Sequence, residues 1–250
     1  MKYVDTSAET AYNKHIADAI LRIGVVEQLL WGQAMDALKL DTVLLSEDRS
    51  CLEILDQTLL PGTVKVLRIE KIEDIFEAIR FLRVRGAPAI GVCAAYGIAL
   101  TASRIETQDY ETFLTAFREQ KNYLASSRPT AVNLFWALNR MERTLLSHAD
   151  QTVDKIKELL FAEAQAIRDE DVAISRSIGE IGFGLFKPGD GILTHCNAGT
   201  LATAKYGTAT APMYVALEHG MTDFRVYCDE TRPLLQGARL TAFELHGAGI

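Results

Sequence analysis

No apolar run in the sequence approaches the ~20 residues that a membrane-spanning helix needs, so no membrane partner is expected. Cysteine is scarce: there are 4 in 250 residues, at 51, 93, 196 and 228, with no CxxC pair. That excludes a disulfide framework and reads as the reduced thiols of a cytoplasmic protein. The five histidines, at 15, 148, 195, 219 and 246, are scattered without an HExxH pattern, so no metal is expected. There is no GxGxxG, which removes the dinucleotide fingerprint. Basic charge is in deficit, with 26 Lys and Arg against 33 Asp and Glu and a net charge of −7. A nucleic-acid partner calls for a basic face, so none is expected. A small anionic substrate stays open wherever a few arginines converge. Repeats and low-complexity tracts are absent, and the first ten residues, MKYVDTSAET, carry no apolar signal core.

What is present is a large apolar fraction, 48% of residues, enough to bury a core in one or two domains. The chain is organised around GILTHCNAGTLATAKYGT, residues 191–208. This predicts a buried strand over Ile192–His195, with Cys196 at its carboxyl end. A turn follows over Asn197–Thr200, then a helix to about 219. A second strand is predicted over 224–228, then a loop, DETRPLLQG, and a short helix from Ala238 to Leu245. Ile250 reads as the first residue of a third strand. Alternating β and α units imply a parallel sheet, whose ligands bind outside the carboxyl ends of the strands. A helix N-terminus there suits a phosphate, and a thiol at the same place can join the chemistry.

Upstream, residues 8–40 read as a packing or dimer helix, with Ile16, Ile20, Ile23 and Leu30 on one stripe. CLEILD (51–56) and TVKVLRI (63–69), split by Leu60-Pro61-Gly62, predict a small hairpin or meander. Helices are predicted over 71–83, 89–103, 109–125 and 131–146, with one or two more over 151–181. The helix from Ala89 is almost wholly apolar and must be buried on most sides. Glycines at 179, 182, 184, 189 and 191 mark a candidate domain boundary. The expected fold class is α/β. Residues 1–185 form an N-terminal domain of a small β-sheet plus helices, with 1–50 a helical extension. Residues 186–250 form the first part of a Rossmann-like parallel-sheet domain. Two strands make no stable doubly wound sheet, so that domain is expected to be incomplete in this chain.

Several residues stand out for chemistry. Arg85 precedes Gly86-Ala87-Pro88. Proline fits the first turn of the next helix, and glycine permits an unusual backbone just before it. Arg85 is then a cation at the mouth of a buried helix, serving either a ligand or a neighbouring carbonyl. Arg128-Pro129 repeats the arrangement ahead of a second apolar helix; the alternative is that both are solvated loop arginines. Cys51 and Cys93 read as small buried hydrophobes, whereas Cys196 ends a strand. His195 is no simple partner for it, since adjacent strand side chains point to opposite faces. Asp229, with Glu230 and Arg232, either meets a ligand or forms local ion pairs. Gln236 opens the last helix at the same sheet edge, and Arg239 reads as structural.

Four segments together carry a resemblance: RGAPAIGVCAAYGIAL (85–100), SRPTAVNLFWAL (127–138), ILTHCNAGTLATAKYGTA (192–209) and YCDETRPLLQGARLTAFEL (227–245). They resemble the S-methyl-5-thioribose-1-phosphate isomerases of methionine salvage. That family shares a superfamily with the regulatory subunits of translation initiation factor 2B and with ribose-1,5-bisphosphate isomerases. The resemblance covers about residue 51 onward. It implies an N-terminal domain of a small sheet and helices plus a Rossmann-like domain, a homodimer, a phosphorylated sugar as substrate and no cofactor. It places substrate binding at Arg85, Gly86, Ala87, Arg128 and Gln236, and catalysis at Cys196.

The implied reaction turns an aldose 1-phosphate into a ketose 1-phosphate. Two departures stand against the family pattern. Its catalytic aspartate and an Asn-Lys pair fall after the strand expected to begin at Ile250, so this chain alone is expected to turn over little substrate. Residues 1–50 are also more helical than the family's start, which fits a subgroup acting on a related sugar such as 5-deoxyribose 1-phosphate. A non-catalytic sugar-phosphate or nucleotide-binding regulatory protein, like the initiation-factor relatives, is the other reading. Retention of Cys196 speaks for an enzyme.

Overall fold

The structure, a computed structural model, describes residues 41–250. The helix expected over 8–40 lies outside the described residues. Three short strands open the described chain: β1 (Val43–Leu45), β2 (Leu52–Leu55) and β3 (Val66–Ile69). They form an antiparallel meander in the order β1-β2-β3. The β2–β3 pair is the expected hairpin; β1 is an addition to it. Alternation turns Leu52, Ile54 and Ile69 into the core. On the other face Arg68 meets Glu53 directly across the ladder at 2.7 Å.

Five helices follow: α1 (Ile72–Arg80), α2 (Ala87–Ser103), α3 (Tyr110–Ala125), α4 (Val132–Ser147) and α5 (Val153–Phe183). The core is built around α2, in which every residue from Ala89 to Ala102 is buried. Each large aliphatic side chain buried this way contributes about 1.5–3 kcal/mol. Pro88 occupies the first turn of α2, as its missing N–H allows. The helix after Arg128 begins at Val132, within one residue of the expected start and with Pro129 in the loop before it as expected, but it is amphipathic rather than apolar. Leu134, Leu138, Met141 and Leu145 face inward, while Val132 and Trp136 face out.

Residues 153–183 form a single helix, unbroken by the glycines at its end. Gly179 lets α5 lie against Ala211 and Val215; a Cβ there would come within 2.7 Å of the Val215 side chain. After a loop come two parallel strands, β4 (Asp190–His195) and β5 (Phe224–Asp229), with Ile192 opposite Val226 and His195 opposite Asp229.

The helix expected over 200–219 is replaced by three pieces. These are a single 3₁₀ turn (Thr200–Ala202), an irregular stretch, and α6 (Ala211–Glu218). Tyr206 and Gly207 take φ of 69° and 77°, which no right-handed helix accommodates. The N–H groups of Thr208 and Ala209 both donate to the Ala198 carbonyl, folding the stretch back on the turn. The last element is also modified: one turn of π-helix (Gly237–Thr241) leads into α7 (Ala242–Gly247). Ile250 donates to the Leu245 carbonyl at 3.0 Å, and no third parallel strand begins among the described residues. The architecture is α/β, a small antiparallel sheet with helices followed by a parallel two-stranded sheet. Among the described residues no helix is long and apolar enough to cross a membrane.

Candidate functional site

The carboxyl end of β4 runs directly into Cys196, which takes φ 58°. A non-glycine residue in this left-handed region costs of order 1–3 kcal/mol and persists only where its surroundings hold it. Two contacts supply that hold. The Cys196 carbonyl accepts from the Thr241 hydroxyl at 2.5 Å, and the next residue, Asn197, donates through its side-chain amide to the same hydroxyl at 3.1 Å. The reversal lifts the chain off the strand direction and leaves Cys196 half-buried at the sheet edge. His195 points the other way, exposed, with its Nδ1 3.5 Å from Asp229 Oδ2. Neighbours in sequence thus serve different faces.

Arg85 reaches this turn from the start of α2. Its guanidinium donates to Asn197 Oδ1 at 2.6 Å and to the Asn197 carbonyl at 3.0 Å. These two bonds use two of the five guanidinium N–H groups. The loop carrying Arg85 presses on the 3₁₀ turn backbone to backbone. Gly86 has φ 89°, and a Cβ on it would lie 2.4 Å from Ala202 Cα. Only glycine allows both the dihedral and the approach. The N-terminal region adds further clamps on the same turn. Thr42 Oγ1 donates to the Thr200 carbonyl at 3.0 Å, and Gln57 Nε2 donates to the Leu201 carbonyl at 2.7 Å.

Beneath the turn lies Glu244, from α7, with no solvent exposure. Its Oε2 accepts from the Leu201 N–H at 3.0 Å, whereas Oε1 is buried without a hydrogen-bond partner. Gly199 sits directly over it: a Cβ there would fall 1.3 Å from Oε1. Burial pushes the Glu244 carboxyl up to about 7; the Leu201 N–H, the Asn197 side chain, Arg85 and the Thr200 N–H oppose that rise. Arg85 is itself lowered, chiefly by burial, with Cys196 and Glu244 raising it and Arg239 and Arg128 lowering it. Cys196, Glu244, Arg128 and Arg239 therefore all lie within electrostatic reach of one guanidinium.

Arg128 is half-buried, and among the described residues its guanidinium makes no hydrogen bond or ion pair. Gln236 is half-buried at the head of the π turn, its Oε1 accepting from Thr231 Oγ1 at 3.0 Å. Arg239 is structural, donating to the Leu60 carbonyl at 2.6 Å and the Leu234 carbonyl at 3.0 Å. Glu230 accepts from the Ala238 N–H and so fastens the π turn. Asn197, Gly199, Glu244 and Thr241 are not singled out by sequence pattern. One signal was present for Glu244: it is the only charged residue between Leu240 and Leu245, in an otherwise apolar run.

A separate apolar cavity of about 320 Å³ lies between α2, α4 and α5, lined by residues such as Pro88, Val92, Trp136 and Ile174. None of Arg85, Arg128, Cys196 or Gln236 lines it, so it is not where the polar groups converge. Among the described residues no cluster of three or more His, Cys, Asp or Glu is arranged to hold a metal ion.

Residues 83–250 match the initiation factor 2 subunit family. A methylthioribose-1-phosphate isomerase of Symbiobacterium thermophilum is 58% identical over 212 residues, which cover 85% of this chain and 59% of that protein. A 5-deoxyribose 1-phosphate isomerase of Petrotoga mobilis is 53% identical over 208 residues, 83% of this chain and 60% of that protein. The crystal structure of 5-methylthioribose 1-phosphate isomerase from Pyrococcus horikoshii OT3 superposes with a TM-score of 0.79 at 42% identity, covering 86% of this chain and 60% of that one. The chain thus spans about three-fifths of the length of these relatives.

Proposed function

Since the chain belongs to the initiation factor 2 subunit family, we propose that the protein is a sugar-phosphate isomerase. The reaction is conversion of 5-methylthioribose 1-phosphate to 5-methylthioribulose 1-phosphate, a step of methionine salvage. The observation that carries this reading is the joining of Arg85 to the Cys196–Asn197 turn by two hydrogen bonds, with Arg128 close enough to act on Arg85. Two neighbouring guanidinium groups suit a phosphate, whose oxygens match guanidinium forks bidentately.

In this reading Arg85, Gly86, Ala87 and Arg128 hold the phosphate, and Gln236 holds a sugar hydroxyl. Protonation of the ring oxygen breaks its bond to C1, which stays phosphorylated. The C2 hydrogen moves to C1, and the C2 hydroxyl gives up its proton to become the ketone. Atoms and electrons are conserved within the sugar, so no external oxidant is required. Cys196 serves the proton transfer from the sheet edge. The proposal extends to a cytoplasmic homodimer and to a division of the chain near residue 185.

A second substrate, 5-deoxyribose 1-phosphate, is favoured by the identity to the Petrotoga protein. The two sugars differ only in the group on C5. Phosphorus and proton NMR of each sugar incubated with the full-length protein tests the reading. A ketose 1-phosphate from either supports isomerisation, and the larger kcat/KM names the substrate. Binding of both sugars without any ketose would instead fit a regulatory, non-catalytic relative.

A further inference from the structure

The reading above assigns no part to the one carboxyl group buried under the turn. We propose that Glu244 is the positioning residue of this site, fixing the Asn197–Leu201 turn from below and, through it, the places of Cys196 and Arg85. The inference rests on the isomerase reading for its consequence in catalysis, but not for its structural content.

The geometry carries it in three ways. Glu244 has no solvent exposure and takes the Leu201 N–H at 3.0 Å, so it holds one end of the turn. It packs so closely under Gly199 that no side chain can stand between them. From the other end, Thr241, one helical turn before Glu244, holds the Cys196 carbonyl and the Asn197 side chain. A single turn of helix thereby grips both ends of the segment that begins with the thiol. A buried carboxylate is costly unless paired, yet among the described residues no cation bonds to Glu244, and Oε1 accepts no hydrogen bond. An apolar side chain would fill the same volume without that cost, but it would leave the Leu201 N–H unbonded and the turn unfixed.

The test compares Glu244→Gln, which keeps an acceptor oxygen, with Glu244→Ala, which does not. In Glu244→Ala, amide hydrogen exchange in the peptide spanning 197–203 should speed up by about tenfold while peptides of α2 stay unchanged. Iodoacetamide labelling of Cys196, read peptide by peptide, should rise about fivefold as the turn loosens. Cys93, buried in α2, serves as the internal control, since its labelling rises only if the protein as a whole loosens. With an isomerisable sugar phosphate, kcat should fall about tenfold and KM should rise as Arg85 loses its place, and Glu244→Gln should recover most of both losses. Exchange and labelling within twofold of wild type in Glu244→Ala would overturn the proposal, as would kcat lost equally in both variants. If Glu244→Ala does not fold, Glu244→Asp, which shortens the reach to Leu201, should show the same loosening. A wild-type protein inactive on both sugars overturns the isomerase reading alone, because exchange and labelling still decide the role of Glu244.

Discussion

Replacing Glu244 by Gln should remove a specific part of the protein's pH-dependent stability. Burial holds the Glu244 carboxyl at about 7 in the folded protein, against 4.5 for the free side chain. The folded state therefore binds this proton more tightly than the unfolded chain. The stabilisation that follows is complete below pH 4.5 and is lost as the pH rises through about 7. At about 1.4 kcal/mol per pH unit, the interval amounts to roughly 3 kcal/mol, of which roughly 2.5 falls between pH 5 and pH 8. Other titrating groups shift stability too. Asp56 and Glu142 sit low through hydrogen bonds to Thr58, Arg83, Lys121 and Arg118, which outweigh their own burial, while Asp171 sits high through burial. They are common to both proteins and cancel in the difference. Equilibrium urea unfolding at pH 5 and pH 8 should show the wild type losing about 2.5 kcal/mol relative to Glu244→Gln. Any fixed cost of the amide drops out of that comparison. A difference that stays the same at both pH values, to within about 0.5 kcal/mol, would mean the carboxyl is already ionised at pH 5. The buried, unpaired description of Glu244 would then be wrong.

Other outcomes follow from the packing and the charges. Gly199→Ala places a methyl 1.3 Å from Glu244 Oε1 and should cost about 2–4 kcal/mol, read as a lowered Tm; an unchanged Tm would contradict the close packing. Gly86→Ala meets both the 89° φ and the Ala202 backbone, so its loss should be of similar size. Asp171→Ala removes the acceptor of the Ala204 N–H and should cost about 1–3 kcal/mol in urea unfolding. Arg128→Ala should weaken sugar-phosphate binding by about tenfold or more in calorimetry, with Arg128→Lys recovering little of it, since an ammonium cannot bind bidentately.

The sequence conveyed some of this clearly, for physical reasons that can be named. α2 was legible because a proline at its head and an unbroken apolar run leave few alternatives to a buried helix. β4 and the position of Cys196 were legible because an apolar stretch ended in turn residues; the burial expected over Ile192–His195 was not met, since Leu193 and His195 are exposed. The segment from 203 to 210 was not. Its composition permits a helix, and what prevents one is tertiary: Gly207 stacks against Gly199, where a Cβ would meet the Gly199 Cα at 2.4 Å. The glycines at 179 and 182, part of the run read as a candidate domain boundary, are contact points for α6 within a continuous helix. Of the site, Arg85 and Cys196 stood out through their neighbours in sequence. Their connection did not, because it runs through Asn197 and spans 112 residues.

The central claim is that Cys196, at the end of β4, acts on a phosphorylated sugar held by Arg85 and Arg128. Following 5-methylthioribose 1-phosphate by NMR with the full-length protein and its Cys196→Ser variant tests it most directly. The account predicts ketose 1-phosphate from the wild type and a loss of about a hundredfold or more in kcat for the variant, with sugar-phosphate binding retained. Undiminished turnover by Cys196→Ser would contradict it.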